Sequence, residues 1–117
     1  MKKERRCLMA RIKLVSADLN ALYDLRRILE SAGYLVEITV SAELALADTK
    51  LTGWIQLVIT DKDLRADEYS GDWLAKKVRE LGIPVIVLTE MYDISTLLAN
   101  VAQLLATGDK QPTETGG

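Results

Sequence analysis

Three small groups of residues could do chemistry, and each follows directly on an apolar run: Ser16, Ala17 and Asp18; Asp61 and Asp63; Thr89 and Glu90. Carboxylates placed this way can be tried as a calcium site. The chain has no histidine, so the commonest general base and zinc ligand is missing, which removes Ser-His and Cys-His hydrolases and most zinc enzymes. Asp61, Asp63, Asp67 and Asp72 fall at positions one, three, seven and twelve of an EF-hand-like frame. Ala66 stands where that frame needs glycine for its turn and Arg65 stands at a ligand position, so calcium is not expected.

The elements that must position these groups alternate between two periods. Leu8–Val15 reads as a strand around Ile12, Leu14 and Val15. Asp18 can cap a helix with Leu22, Leu25, Ile28, Leu29 and Ala32 at helical spacing, ended by Gly33. Tyr34–Thr39 is a short strand, and Ser41 can cap the helix Ala42–Lys50, with Leu44, Ala45 and Leu46 among its apolar positions. Ile55–Thr60 is a third strand, followed by a polar loop from Asp61 to Ser70 and a helix with Trp73, Leu74, Val78 and Leu81 on one face, ended by Gly82. Pro84–Thr89 is a fourth strand, apolar at consecutive positions as a strand covered on both faces requires. Ile94–Ala106 carries an apolar stripe at Ile94, Leu97, Leu98, Val101, Leu104 and Leu105.

Strands alternating with helices imply an α/β domain with a parallel sheet and helices on both faces. Such sheets collect function at the carboxyl ends of their strands, where all three polar groups fall. No glycine-rich loop follows the first strand, which argues against a Rossmann or P-loop nucleotide site. The 117 residues suffice for one core, expected over 1–106, with a polar disordered tail or linker start over 107–117. A net charge of −2 supports neither nucleic acid nor an acidic membrane as partner. The basic cluster Lys2, Lys3, Arg5, Arg6 and Arg11 reads as a solvated terminus. Cys7 is the only cysteine, so no internal disulfide can form and a cytoplasmic location is expected.

Three segments, in order and with consistent spacing, resemble the receiver domains of bacterial response regulators, the CheY-like family with its flavodoxin-like fold. Leu29-Glu30-Ser31-Ala32-Gly33-Tyr34-Leu35-Val36 is similar to that family's first helix end and second strand. Leu57-Val58-Ile59-Thr60-Asp61 resembles the strand running into the phospho-accepting aspartate, and Ile83-Pro84-Val85-Ile86-Val87-Leu88-Thr89 the strand ending in the switch threonine. The resemblance implies Asp61 as the phosphoacceptor position and Thr89 as the switch position. It also implies magnesium held by the acceptor, an acidic pair after the first strand and a backbone carbonyl, with a lysine beside the phosphoryl group.

Against that pattern the chain departs at each charged position. The acidic pair falls on Ser16 and Ala17. Asp18, one residue later, is expected to cap a helix; with Asp61 and Asp63 it forms the alternative metal set. Glu90-Met91-Tyr92-Asp93-Ile94 resembles the segment that starts with the family's lysine and leads into its last helix, so Glu90 stands in the lysine's place. That segment follows the fourth strand directly, which implies loss of the fourth helix and fifth strand; alternatively, the last helix is the fourth and the chain stops early. The loop after Asp61 has Arg65 in place of the family's proline and reaches its glycine late, at Gly71, as a small insertion would produce.

Two functions follow. The first is a pseudo-receiver, a non-enzymatic protein-binding module in signal transduction that needs neither phosphorylation nor a cofactor. The alternative is a working receiver of a two-component system, phosphorylated on Asp61 with Mg2+. Loss of a fifth strand would leave Pro84–Thr89 as an apolar edge, so a homodimer or other protein partner is expected, meeting along Val85, Val87 and Thr89 or across the adjacent final helix. Trp54 and Trp73 are expected to be packing anchors, and Tyr92 to flank the Asp61 pocket or fasten the last helix.

Overall fold

The computed structural model describes residues 10–64, 69–89 and 91–116, the side chains of 107–116 excepted. Lys2, Lys3, Arg5, Arg6, Cys7, Leu8, Arg65, Ala66, Asp67 and Glu90 lie outside the described residues. The element order is β1 (Arg11–Val15), α1 (Leu19–Ser31), β2 (Leu35–Thr39), α2 (Ala42–Thr52), β3 (Leu57–Asp61), α3 (Gly71–Glu80), β4 (Val85–Leu88) and α4 (Ile94–Gly116). The four strands form one parallel sheet in the order β2-β1-β3-β4. Among the described residues no helix is long and apolar enough to cross a membrane.

The helix starts follow from side chains that accept backbone N–H groups at each N-terminus. Asp18 accepts from the N–H groups of Asn20 and Ala21, Ser41 from Leu44, and Ser70 from Trp73. Gly33 and Gly82 leave their helices at φ of 100° and 84°, a conformation that costs glycine little.

Strand alternation splits the core in two. Ile12, Leu14, Leu57, Ile59 and Leu88 face α1 and α4 and pack on Leu22, Leu25, Leu29, Leu97 and Val101. Val15, Val58 and Val85 face α2 and α3 and pack on Ala42, Ala45, Leu74, Ala75 and Val78. Burial of a single Leu97 or Val101 side chain contributes roughly 1.5–3 kcal/mol.

The position of α4 decides between the two readings of the last helix. Right-handed crossovers place α2 and α3 on one face as the chain moves from β2 across to β4. A helix leading to a strand beyond β4 would continue on that face. Instead α4 lies beside α1, on the opposite face, so it is a terminal helix that closes the core. Only Thr89–Asp93 separates it from β4, and no fifth strand occurs among the described residues.

Several expectations need correction. Helix α4 runs to Gly116, past the expected end at Ala106, while its apolar stripe ends at Leu105. Trp54 is not a packing anchor: it is 53% exposed and carries the Arg11 guanidinium over its ring, 4.9 Å from the centroid. Leu44 and Leu81 are exposed. Trp73 does pack into the α2–α3 core, stacked on Tyr69 at 4.1 Å.

Candidate functional site

The site lies where β1, β3 and β4 end. Leu57–Ile59 is buried on both faces of the sheet, which anchors β3 and fixes Asp61 at its carboxyl end. From β1, Ser16 follows the buried Val15 and is itself buried. The two meet: the Ser16 hydroxyl donates a hydrogen bond to Asp61 Oδ2, while Ser16 Oγ accepts the Asp18 N–H at 3.0 Å. The hydroxyl proton of Ser16 is thereby committed to the acceptor-position carboxylate.

Asp18 caps α1. Its Oδ1 takes the N–H groups of Asn20 and Ala21 at 3.0 and 3.3 Å, the capping role expected of it. Ala17 has no side-chain ligand atom. Asp18, Asp61 and Asp63 are not brought together: among the described residues, no three His, Cys, Asp or Glu side chains form a group that could hold a metal ion. Of the acidic pair that the resemblance implies for magnesium, the residues after β1 offer only the Ser16 hydroxyl, which is already bonded to Asp61.

The loop after β3 closes against the strand it left. Gly71 N–H donates to the Lys62 carbonyl at 2.9 Å, and Lys62 N–H donates to the Leu88 carbonyl at 3.1 Å. A Cβ at position 71 would sit 1.8 Å from the Asp61 carbonyl oxygen, so glycine is required for steric reasons where α3 starts over the end of β3. The late glycine in the sequence is the trace of that approach.

These residues wall an open groove of about 660 Å3 that includes Asp18, Asp61, Lys62, Asp63, Asp72, Thr89 and Tyr92. Lys62 is the one basic residue lining it among the described residues, and its Nζ lies 3.9 Å from Asp72 Oδ2. Thr89, in the switch position, is exposed, and its hydroxyl donates to the Met91 carbonyl at a long 3.4 Å. Tyr92 lines both the groove and the small apolar cavity beneath it. Burial first, then the charges of Asp61 and Asp24, push the Tyr92 phenol above its ordinary pKa of 10.0.

Away from the groove, Lys13 is 3% exposed on β1, one of the two central strands, and its Nζ reaches Glu37 at 3.0 Å and Asp48 at 2.9 Å. The sequence gives no signal for this buried ion pair beyond a polar residue within an apolar run.

No protein-family model matches the chain, and no curated protein matches it by sequence. Solved structures do. The CheY-like receiver domain protein from Methanospirillum hungatei superposes with a TM-score of 0.78, 22% identity and coverage of 88% of this chain and 98% of that one. A response regulator receiver protein from Sinorhizobium medicae gives 0.76, 23% identity, 87% and 98%. The receiver domain of the hybrid histidine kinase CckA gives 0.69, 28% identity, 82% and 99%. This chain has the receiver fold. Within that fold, Asp61 ends β3, Thr89 follows β4, and Ser16 and Ala17 follow β1.

Proposed function

We propose that this receiver-like domain is a protein-binding module of signal transduction that works without a phosphorylated state, a resident metal or enzymatic activity. The observation that carries the reading is the hydrogen bond from Ser16 to Asp61. Phosphoryl transfer to a carboxylate brings an anion onto an anion, and fixed positive charge must offset the repulsion. Here the place of the metal-binding acids is taken by Ser16 and Ala17. The groove that would receive the phosphoryl group is lined by the carboxylates of Asp18, Asp61, Asp63 and Asp72 against one described lysine. Each missing electrostatic partner of this kind costs about 3 kcal/mol of transition-state stabilisation. In this reading Asp61 survives as a hydrogen-bonded strut between β1 and β3. A cytoplasmic setting suits a chain whose one cysteine forms no internal disulfide.

The test is amide NMR of the full chain with magnesium and beryllofluoride, a phosphoryl mimic. Unchanged shifts at Asp61, Lys62 and Thr89 are expected. Localised shifts that disappear in Asp61→Asn would overturn the reading and restore the phosphoacceptor.

A further inference from the structure

The sheet has two edges, and they differ in protection. Along β2, Glu37 is held by Arg11 at 3.7 Å and by Lys13 at 3.0 Å, so charge guards that edge. The other edge, β4, reads Val85-Ile86-Val87-Leu88 and has no strand beyond it among the described residues.

Register decides which backbone groups of β4 are already used. Val58 N–H donates to the Pro84 carbonyl at 3.2 Å and Lys62 N–H to the Leu88 carbonyl at 3.1 Å, with Ile59 level with Ile86. In a parallel ladder each residue turns its N–H and C=O to one side, and successive residues alternate. Pro84, Ile86 and Leu88 therefore face β3, and Val85, Val87 and Thr89 face outward. One outward group is covered, since Arg79 Nη2 donates to the Val85 carbonyl at 3.3 Å. Val87 is the centre of what remains open.

We infer that β4 pairs antiparallel with β4 of a second copy of this chain, about a two-fold axis at Val87. The inference rests on the reading of the domain as a protein-binding module and names its partner. On that axis the Val87 N–H of each copy donates to the Val87 carbonyl of the other. Val85 and Thr89 of opposite copies form the next hydrogen-bonded pair on either side, the Val85 carbonyl using its second lone pair beside the bond from Arg79. A second copy is favoured over a foreign strand because the edge is self-complementary: apolar residues meet apolar residues, and no charge is placed opposite a like charge. Closure about the axis joins the two four-stranded sheets into one and leaves only the charge-guarded β2 strands as edges.

Sedimentation equilibrium of the full chain over a concentration series tests this, with Val87→Pro as the variant. Because the Val87 N–H points outward, proline there removes a donor to the second copy and none to β3. The expected result is a monomer–dimer equilibrium that Val87→Pro abolishes with far-UV circular dichroism unchanged. Should Val87→Pro fail to fold, hydrogen exchange on the unaltered chain decides: Val85, Val87 and Thr89 amides gain protection as concentration rises, and Leu88 does not. A monomer at every concentration, or a dimer whose Val87 exchange ignores concentration, overturns the inference. Neither result bears on the beryllofluoride titration, so the two proposals fail separately.

Discussion

The hydroxyl of Ser16 on the loop after β1 donates to the carboxylate of Asp61 at the end of β3, joining the two central strands at the site end of the sheet. A serine in this place holds the aspartate with a proton, where an acid would hold it through a shared cation. On the proposed reading, placing acids there should create a metal site. Ser16→Glu with Ala17→Asp should bind magnesium, seen by calorimetry and by amide shifts at Asp61, while the unaltered chain shows neither. Ser16→Ala alone should lower unfolding stability by about 1.5–3 kcal/mol, as expected for a hydrogen bond to a charged group, measured by urea denaturation.

The Gly71 backbone passes so close to the Asp61 carbonyl that no side chain fits between them. Gly71→Ala should therefore cost about 1–3 kcal/mol, the range for overpacked sites, at its upper end because the obstacle is backbone. Thermal unfolding would show it. A neutral Gly71→Ala would mean that α3 can retreat from β3 without loss, contrary to the packing described.

Lys13 is buried between two carboxylates that remain half-exposed. Removing it strands neither acid away from water, so most of the cost of truncation should come from the lost aliphatic stem. Lys13→Met keeps that stem and should cost about 1 kcal/mol, whereas Lys13→Ala should cost about 3 kcal/mol through the cavity it opens. Equal losses in the two variants, by urea denaturation, would show that the charge matters more than the volume.

How far the sequence disclosed all this varies with the kind of signal. Helix and strand periods set out every element, and Asp18 and Ser41 announced two of the helix starts through short-range chemistry that local sequence carries. Trp54 misled, because a large aromatic predicts a buried anchor and here it serves as a platform for Arg11 from a strand more than forty residues away. The bond from Arg79 to the Val85 carbonyl was equally hidden, since it depends on how α3 lies against an edge that only the sheet order defines. The side of the sheet taken by α4 was open for the same reason: its apolar stripe fits either face, and the packing with α1 decides. That Ser16 and Ala17 follow the first strand was visible at once, but not the use to which Ser16 puts its hydroxyl.

Tyr92 supplies a pH prediction with a definite sign. Its phenol is pushed up from 10.0, first by burial and then by Asp61 and Asp24. A raised pKa in the folded state means that the folded chain holds this proton more tightly than the unfolded chain. The resulting stability is complete below 10.0 and is lost as pH rises through the folded value. Tyrosine absorbance should place the Tyr92 transition above 10.0. Asp61→Asn should lower it without returning it to 10.0, because burial is the larger cause; a transition at 10.0 in the unaltered chain would contradict the packing of the ring.

The short path from β4 to α4 makes the site loop and the cap of the last helix one stretch of chain. Asp93, whose Oδ2 accepts from Thr96 N–H and Oγ1 at 2.8 and 2.9 Å, starts α4 immediately after Tyr92, and Met91 stands out into solvent just before it. The groove and the last helix are thus joined in series, with no strand or helix between them among the described residues to absorb a displacement. A displacement of Met91 would therefore pull directly on the first turn of α4.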